Sequence, residues 1–176
     1  MNCLWIRLKW ASWFGAFLGA LFACAGNADA REIGGTITTT LTITEDSQLV
    51  DDIICTVTGA PCIEIGASGI TLDLNGFSMT GLADSETGCS GVSTGSDAGI
   101  RVSGQTGVTI SGPGVVQRFR GAGIYPRMNS IRTTVTGVTL STNCASGILV
   151  GGGSDHLLEG NVSVRNGSAT FSCGGI

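Results

Sequence analysis

Glu64, Arg101, Tyr125 and Leu149 each stand between two residues suited to burial: Ile63 and Ile65, Ile100 and Val102, Ile124 and Pro126, Ile148 and Val150. In an extended chain this alternation turns the flanking side chains to one face and the middle one to the other. One acid, one base and one aromatic ring in corresponding outward positions make a stripe suited to sugars, because charged groups bond hydroxyls and an aromatic face packs on a pyranose ring. Asp84, Glu86 and Asp97 precede Arg101 closely enough to lie beside it, and Arg118 and Arg120 lead into Tyr125. An arginine and carboxylates flanking a groove could hold an acidic or a neutral glycan. Any soluble sheet must also turn polar residues outward, so the same stripe arises without a ligand.

Catalysis asks for more than recognition. Glycoside hydrolysis needs two carboxyl groups about 5 to 9.5 Å apart, and Glu64 with an acid from residues 82–98 is the pair available. His156 takes a slot filled in earlier repeats by Val108 and Ile131, which predicts an inward or edge position with its ring nitrogens hydrogen-bonded. Met79 and Met128 are isolated, and no spacing of His, Cys or acids reads as a metal, nucleotide or phosphate motif. No cofactor is expected from these residues.

What must position the stripe is a repeat. Gly-Ile recurs at Gly99-Ile100, Gly123-Ile124, Gly147-Ile148 and Gly175-Ile176, at intervals of 24, 24 and 28 residues. A second apolar pair follows as Val108/Ile110, Ile131/Thr133 and His156/Leu158, and a third as Val115/Gln117, Val138/Leu140 and Val162/Val164. An earlier unit reads Ile63/Ile65, Ile70/Leu72 and Phe77/Met79. Its step to the next is 37 residues, and the surplus is expected to loop out over 82–98. Spacing of i, i+2 makes these half-buried strands, three per unit. Copies stacked about 4.8 Å apart would bury what one unit alone cannot. The 29 glycines suit the sharp corners between strands.

The stretch Ala67-Ser68-Gly69-Ile70-Thr71-Leu72-Asp73-Leu74-Asn75-Gly76, followed by the Gly-Ile repeats, resembles the right-handed parallel β-helix proteins of the pectin-lyase-like superfamily over about residues 34–176. The resemblance implies an all-β solenoid of about six rungs. It also implies that ligand lies along the outward face of the column carrying Glu64, Arg101 and Tyr125. A lyase of this kind would need a base, for which Arg101 matches in position, and usually calcium held by clustered acids, while only Glu64 is near. The aspartate and Gly-His-Gly signatures of polygalacturonase-like hydrolases are absent, and Asp51-Asp52 precedes the repeats.

Residues 1–30 read as a secretory signal peptide. Arg7 and Lys9 form the basic start, residues 10–23 an apolar run too short for a membrane span, and Ala28-Asp29-Ala30 a cleavage site. Leu21-Phe22-Ala23-Cys24 offers a lipoprotein site as the less favoured alternative. Without Arg7, Lys9 and Asp29, nine basic and thirteen acidic residues become seven and twelve, a net charge of about −5. That leaves no basic surface for nucleic acid. The remainder, residues 31–176, is expected to be one exported β-helix domain.

Export permits disulfides among Cys55, Cys62, Cys89, Cys144 and Cys173. Cys144 and Cys173 precede successive Gly-Ile strands at nearly the same distance, so stacking predicts that they pair, and Cys55 with Cys62 is the preferred second bridge. The odd cysteine, and an end on Ile176 at the start of a new repeat, predict that further repeats follow. Asn161-Val162-Ser163 and Asn166-Gly167-Ser168 match N-glycosylation acceptors, though asparagine also suits such corners.

Three expectations follow. The favoured one is an exported, non-catalytic protein that binds polysaccharide, a cell-surface glycan or another surface partner through Glu64, Arg101 and Tyr125, with Asp84, Glu86 and Asp97 beside them. The others are a polysaccharide lyase, epimerase or hydrolase completed by further repeats, with calcium if a lyase, and a structural segment of an adhesin.

Overall fold

The structure is a computed structural model that describes residues 30–83, 89 and 96–168. Residues 1–30 apart from Ala30, together with Asp84, Glu86, Cys173 and the last Gly-Ile, lie outside the described residues. Among the described residues every regular element is a strand. These are β1 (Arg31–Ile37), β2 (Leu41–Ile43), β3 (Ser47–Cys55), β4 (Ile63–Ile65), β5 (Thr71–Asp73), β6 (Ser78–Thr80), β7 (Ile100–Ser103), β8 (Thr109–Gln117), β9 (Ile124–Arg127), β10 (Thr134–Ser141), β11 (Leu157–Glu159) and β12 (Val162–Val164).

The strands pair in parallel with strands of neighbouring repeats. One sheet runs β2-β4-β7-β9. The other runs β1-β3-β5-β8-β10-β11, with β6 between β3 and β8 and β12 beside β10. Parallel pairing by strands this short is compatible with a parallel β-helix. Ile63 pairs with Ile100, Ile100 with Ile124, and Ile124 bridges to Ile148, so the register follows the steps of 37, 24 and 24 residues. The surplus of the long step falls between β6 and β7.

Glycine in the Gly-Ile repeat has a steric cause. A Cβ on Gly99 would lie 2.6 Å from the carbonyl oxygen of Gly123, and one on Gly123 would lie 2.8 Å from that of Gly147. The following isoleucine points inward. Ile63, Ile100, Ile124 and Ile148 are all buried, with Leu72, Ile110 and Val135 forming a second column and Ile53, Met79, Val116 and Leu140 a third. Burying each such side chain stabilises the fold by roughly 1.5–3 kcal/mol.

Two expected columns are shifted. The second buried pair after Ile124 is Thr133/Val135, because Ile131 stands at a corner, 37% exposed, bridging Thr106 and Ser154. In the third column Val116, not Val115 or Gln117, faces inward. In the last repeat Ser163 pairs with Leu140, while Val162 and Val164 face out, 51% and 41% exposed. Gly112 and Pro113 of β8 stand opposite Gly137 alone in β10, so it is β10 that changes phase: Val135, Val138 and Leu140 are all buried, and β12 follows β10, whereas Val116 keeps the phase of Ile110 in β8.

Corners between strands are closed by asparagine side chains. Asn143, fully buried, accepts the Phe119 N–H at 3.0 Å through Oδ1 and donates to the Val116 carbonyl at 3.1 Å. Asn166 sits one repeat on and accepts both the backbone and the side-chain N–H of Asn143, at 2.9 and 3.0 Å. Asn161 accepts the Val138 N–H and donates to the Val135 carbonyl. Each amide thus satisfies backbone groups that the turning chain cannot pair itself.

Cys55 and Cys62 are bridged, with Cα atoms 6.1 Å apart. The expectation that Cys144 pairs with Cys173 is overturned, because Cys144 is bridged to Cys89 with Cα atoms 5.6 Å apart. Stacking fixes which corners of successive repeats lie together, but Cys89 falls in the 37-residue step, where the repeat gives no count from which to place it. Two bridges fit an oxidising compartment.

Candidate functional site

Sheet β2-β4-β7-β9 turns Thr42, Glu64, Arg101 and Tyr125 outward in one register line, each opposite the next across about 4.8 Å. The alternation responsible is the one read from sequence: the flanking Ile63, Ile65, Ile100, Val102 and Ile124 are buried. Three of the expected site residues therefore do come together.

Their electrostatics differ from a row of free groups. Arg101 Nε donates to Glu64 Oε2 at 2.5 Å, and the two side chains are 25% and 18% exposed. The pair engages one carboxylate oxygen of Glu64 and the Nε donor of Arg101. The pair can still present hydroxyl-binding edges to a ligand.

Asp97 is elsewhere. It lies 6% exposed in the corner before β7, where its carbonyl accepts the Gly121 N–H at 3.0 Å and its carboxylate Oδ1 has no hydrogen-bond partner among the described residues. It does not join Arg101. Asp84 and Glu86 fall outside the described residues. Arg118 is drawn to the insertion, donating to the Ala83 carbonyl at 3.2 Å.

His156 behaves as an edge residue. Its Nδ1 accepts the Thr133 N–H at 3.3 Å, so the remaining proton sits on Nε2, which lies 3.3 Å from the Gly152 carbonyl and donates to it. Both ring nitrogens are occupied. Among the described residues no three His, Cys, Asp or Glu side chains gather as a metal site would require, and no helix is long and apolar enough to cross a membrane.

One residue of the stripe escaped the sequence reading. Arg127 follows Tyr125 by two positions, with Pro126 buried between them, so it shares the outward face. Its guanidinium carbon lies 5.5 Å from the centre of the Tyr125 ring, within cation–π range. Gly151 supports the ring from the next repeat, where a Cβ would come 2.5 Å from Tyr125 Cε2. The signal was present as outward, inward, outward over Tyr125-Pro126-Arg127.

Comparison with protein-family models, with curated proteins and with solved structures found no match.

Proposed function

We propose that this is an exported protein whose chain winds as a right-handed parallel β-helix of the pectin-lyase-like type, and that it binds carbohydrate without cleaving it. Glu64, Arg101 and Tyr125 supply the binding stripe. The observation that carries this reading is their register: an ion pair and an aromatic ring aligned along one outward sheet face. Right-handedness follows the strong preference of parallel crossovers. Export is supported by the leader-like residues 1–30 and by the two disulfides.

Binding without turnover is favoured by the state of Glu64. Its carboxylate is engaged by Arg101, and among the described residues Asp97, buried at its own corner, is not brought to the stripe. The test is a glycan array probed with the protein and with Tyr125→Ala. The expected result is binding to a subset of glycans, weakened about tenfold or more in the variant, with no new reducing ends released. Release of sugar fragments, or no binding to any glycan, would overturn the reading.

A further inference from the structure

We infer that His156 is a pH-sensitive latch: its neutral imidazole holds the loop 151–153 against Tyr125, and protonation on mild acidification releases that loop.

Backbone bonds pin the loop at its two ends. The Gly151 N–H donates to the Pro126 carbonyl at 2.8 Å, and the Ser154 N–H donates to the Ser130 carbonyl at 3.1 Å. Between them Gly152 and Gly153 take positive φ values of 142° and 102°, a conformation that favours glycine. Here the restraint comes from a side chain, since His156 Nε2 donates to the Gly152 carbonyl at 3.3 Å. The loop in turn supports the stripe, because a Cβ on Gly151 would come 2.5 Å from Tyr125 Cε2.

The other ring nitrogen makes this restraint depend on charge. His156 Nδ1 accepts the Thr133 N–H at 3.3 Å, and Thr133 is fully buried. A protonated Nδ1 is a donor. It would face another donor, and the Thr133 N–H would lose its acceptor inside the protein, which is unfavourable. Thr133 Oγ1 is already buried without a partner among the described residues, so protonation would leave two unpaired polar groups on one buried residue. The bond is therefore present while the ring is neutral and is lost as pH falls through the titration of the ring. Histidine is the side chain whose ordinary charge change falls between about pH 5 and 8, and this chain has one.

No carboxylate among the described residues offsets the charge of a protonated ring. The charged residues on the segments packed around it are Asp155 and Glu159 on its own pass of the chain and Arg127 and Arg132 on the preceding one. Asp155 Oδ2 accepts from the Ser154 hydroxyl at 3.1 Å, and the Arg127 guanidinium is turned to the Tyr125 ring. Among the described residues none of the four makes an ion pair with the imidazole. Strand β10, paired with β11, carries no charged residue over Thr134–Ser141.

The experiment is an NMR titration of the full chain between about pH 8 and 5. One histidine and one tyrosine give a single set of signals for each ring. The expected result is that the Tyr125 ring and the Gly152 and Gly153 amides shift with the same midpoint as the imidazole. Protection of the Thr133 amide against exchange should fall at least tenfold across that midpoint, corrected for the intrinsic effect of pH, while far-UV circular dichroism stays unchanged. His156→Gln, which cannot titrate, should abolish the shared transition, and His156→Asn serves if that variant does not fold. An imidazole that does not titrate in this range, a titration that leaves Tyr125 and the two glycines unmoved, a transition that persists in the variant, or a loss of circular dichroism at the same midpoint overturns the inference. The latch does not depend on what the stripe binds, so each of these results leaves the glycan-binding reading standing.

Discussion

Arg101 and Glu64, 37 residues apart in the chain, sit directly opposite each other on neighbouring parallel strands and are joined through Nε and Oε2. The insertion between β6 and β7 is therefore bypassed by the pairing, which holds the two sides of it in the spacing of an ordinary repeat. Glu64→Gln should lower stability by no more than about 1 kcal/mol, because partly exposed pairs contribute little. It should also leave the Arg101 charge uncompensated, since glutamine can accept the hydrogen bond but carries no charge, and shift glycan affinity several-fold. Urea denaturation and titration of the variant read the two effects separately.

Asp52 links the first repeats through its carboxylate. The backbone N–H of Ser78, at 2.8 Å, and then the Ser78 hydroxyl, at 2.9 Å, hold its pKa below the ordinary value. A depressed folded-state pKa contributes stability that is fully present above the unfolded value near ~3.9 and is lost as pH falls through the lower folded value. Wild type should therefore lose stability more steeply than Asp52→Asn below about pH 4. The urea midpoint measured between about pH 2 and 5 checks this, and parallel curves would refute it.

The inward setting of Val116 in β8 can be tested with adjacent valines. Val116→Ala empties a place in the core and should cost about 2 kcal/mol, whereas Val115→Ala on the outward side should cost within about 0.5 kcal/mol. Equal costs would contradict the register. Chemical denaturation of the two variants is sufficient.

Both glycosylation acceptors are closed by the corner network. The amide nitrogens of Asn161 and Asn166 donate to the Val135 and Leu140 carbonyls at 2.8 and 2.9 Å, and a sugar would replace one of the two N–H groups on a nitrogen turned into the corner. The folded protein incubated with oligosaccharyltransferase should remain unmodified by intact mass. Asn143→Ala should cost about 2–4 kcal/mol, since it strands the Phe119 N–H and the Val116 carbonyl inside the protein.

The repeat register was legible because glycine precedes isoleucine at Gly99 and Gly123, where the next pass of the chain comes too close for a Cβ. Ile100, Ile124 and Ile148 thus fall in line at the intervals counted from sequence, and Ile63, which follows Cys62, joins them through the Ile63/Ile65 alternation. Val116 was not legible as inward, although it keeps the phase of Ile110 in the same strand, because the third pair aligns on the glycine that precedes it. Nor was the partner of Cys89, because an insertion has no period from which to infer its path. At the candidate site Glu64, Arg101 and Tyr125 followed from simple alternation. Their relationship did not: an acid and a base on one face read as two functional groups in sequence and as one neutral pair in space.

The most direct test of the proposed stripe uses an optical accident of composition. Trp5, Trp10 and Trp13 all lie in residues 1–30, and Tyr125 is the single tyrosine, so a chain without residues 1–30 has tyrosine emission from Tyr125 alone. Titrating that protein with the glycans it retains on an array should change the emission saturably, with a midpoint equal to the Kd measured by calorimetry. Calorimetric binding that leaves the Tyr125 emission unchanged would place the ligand elsewhere and contradict the account.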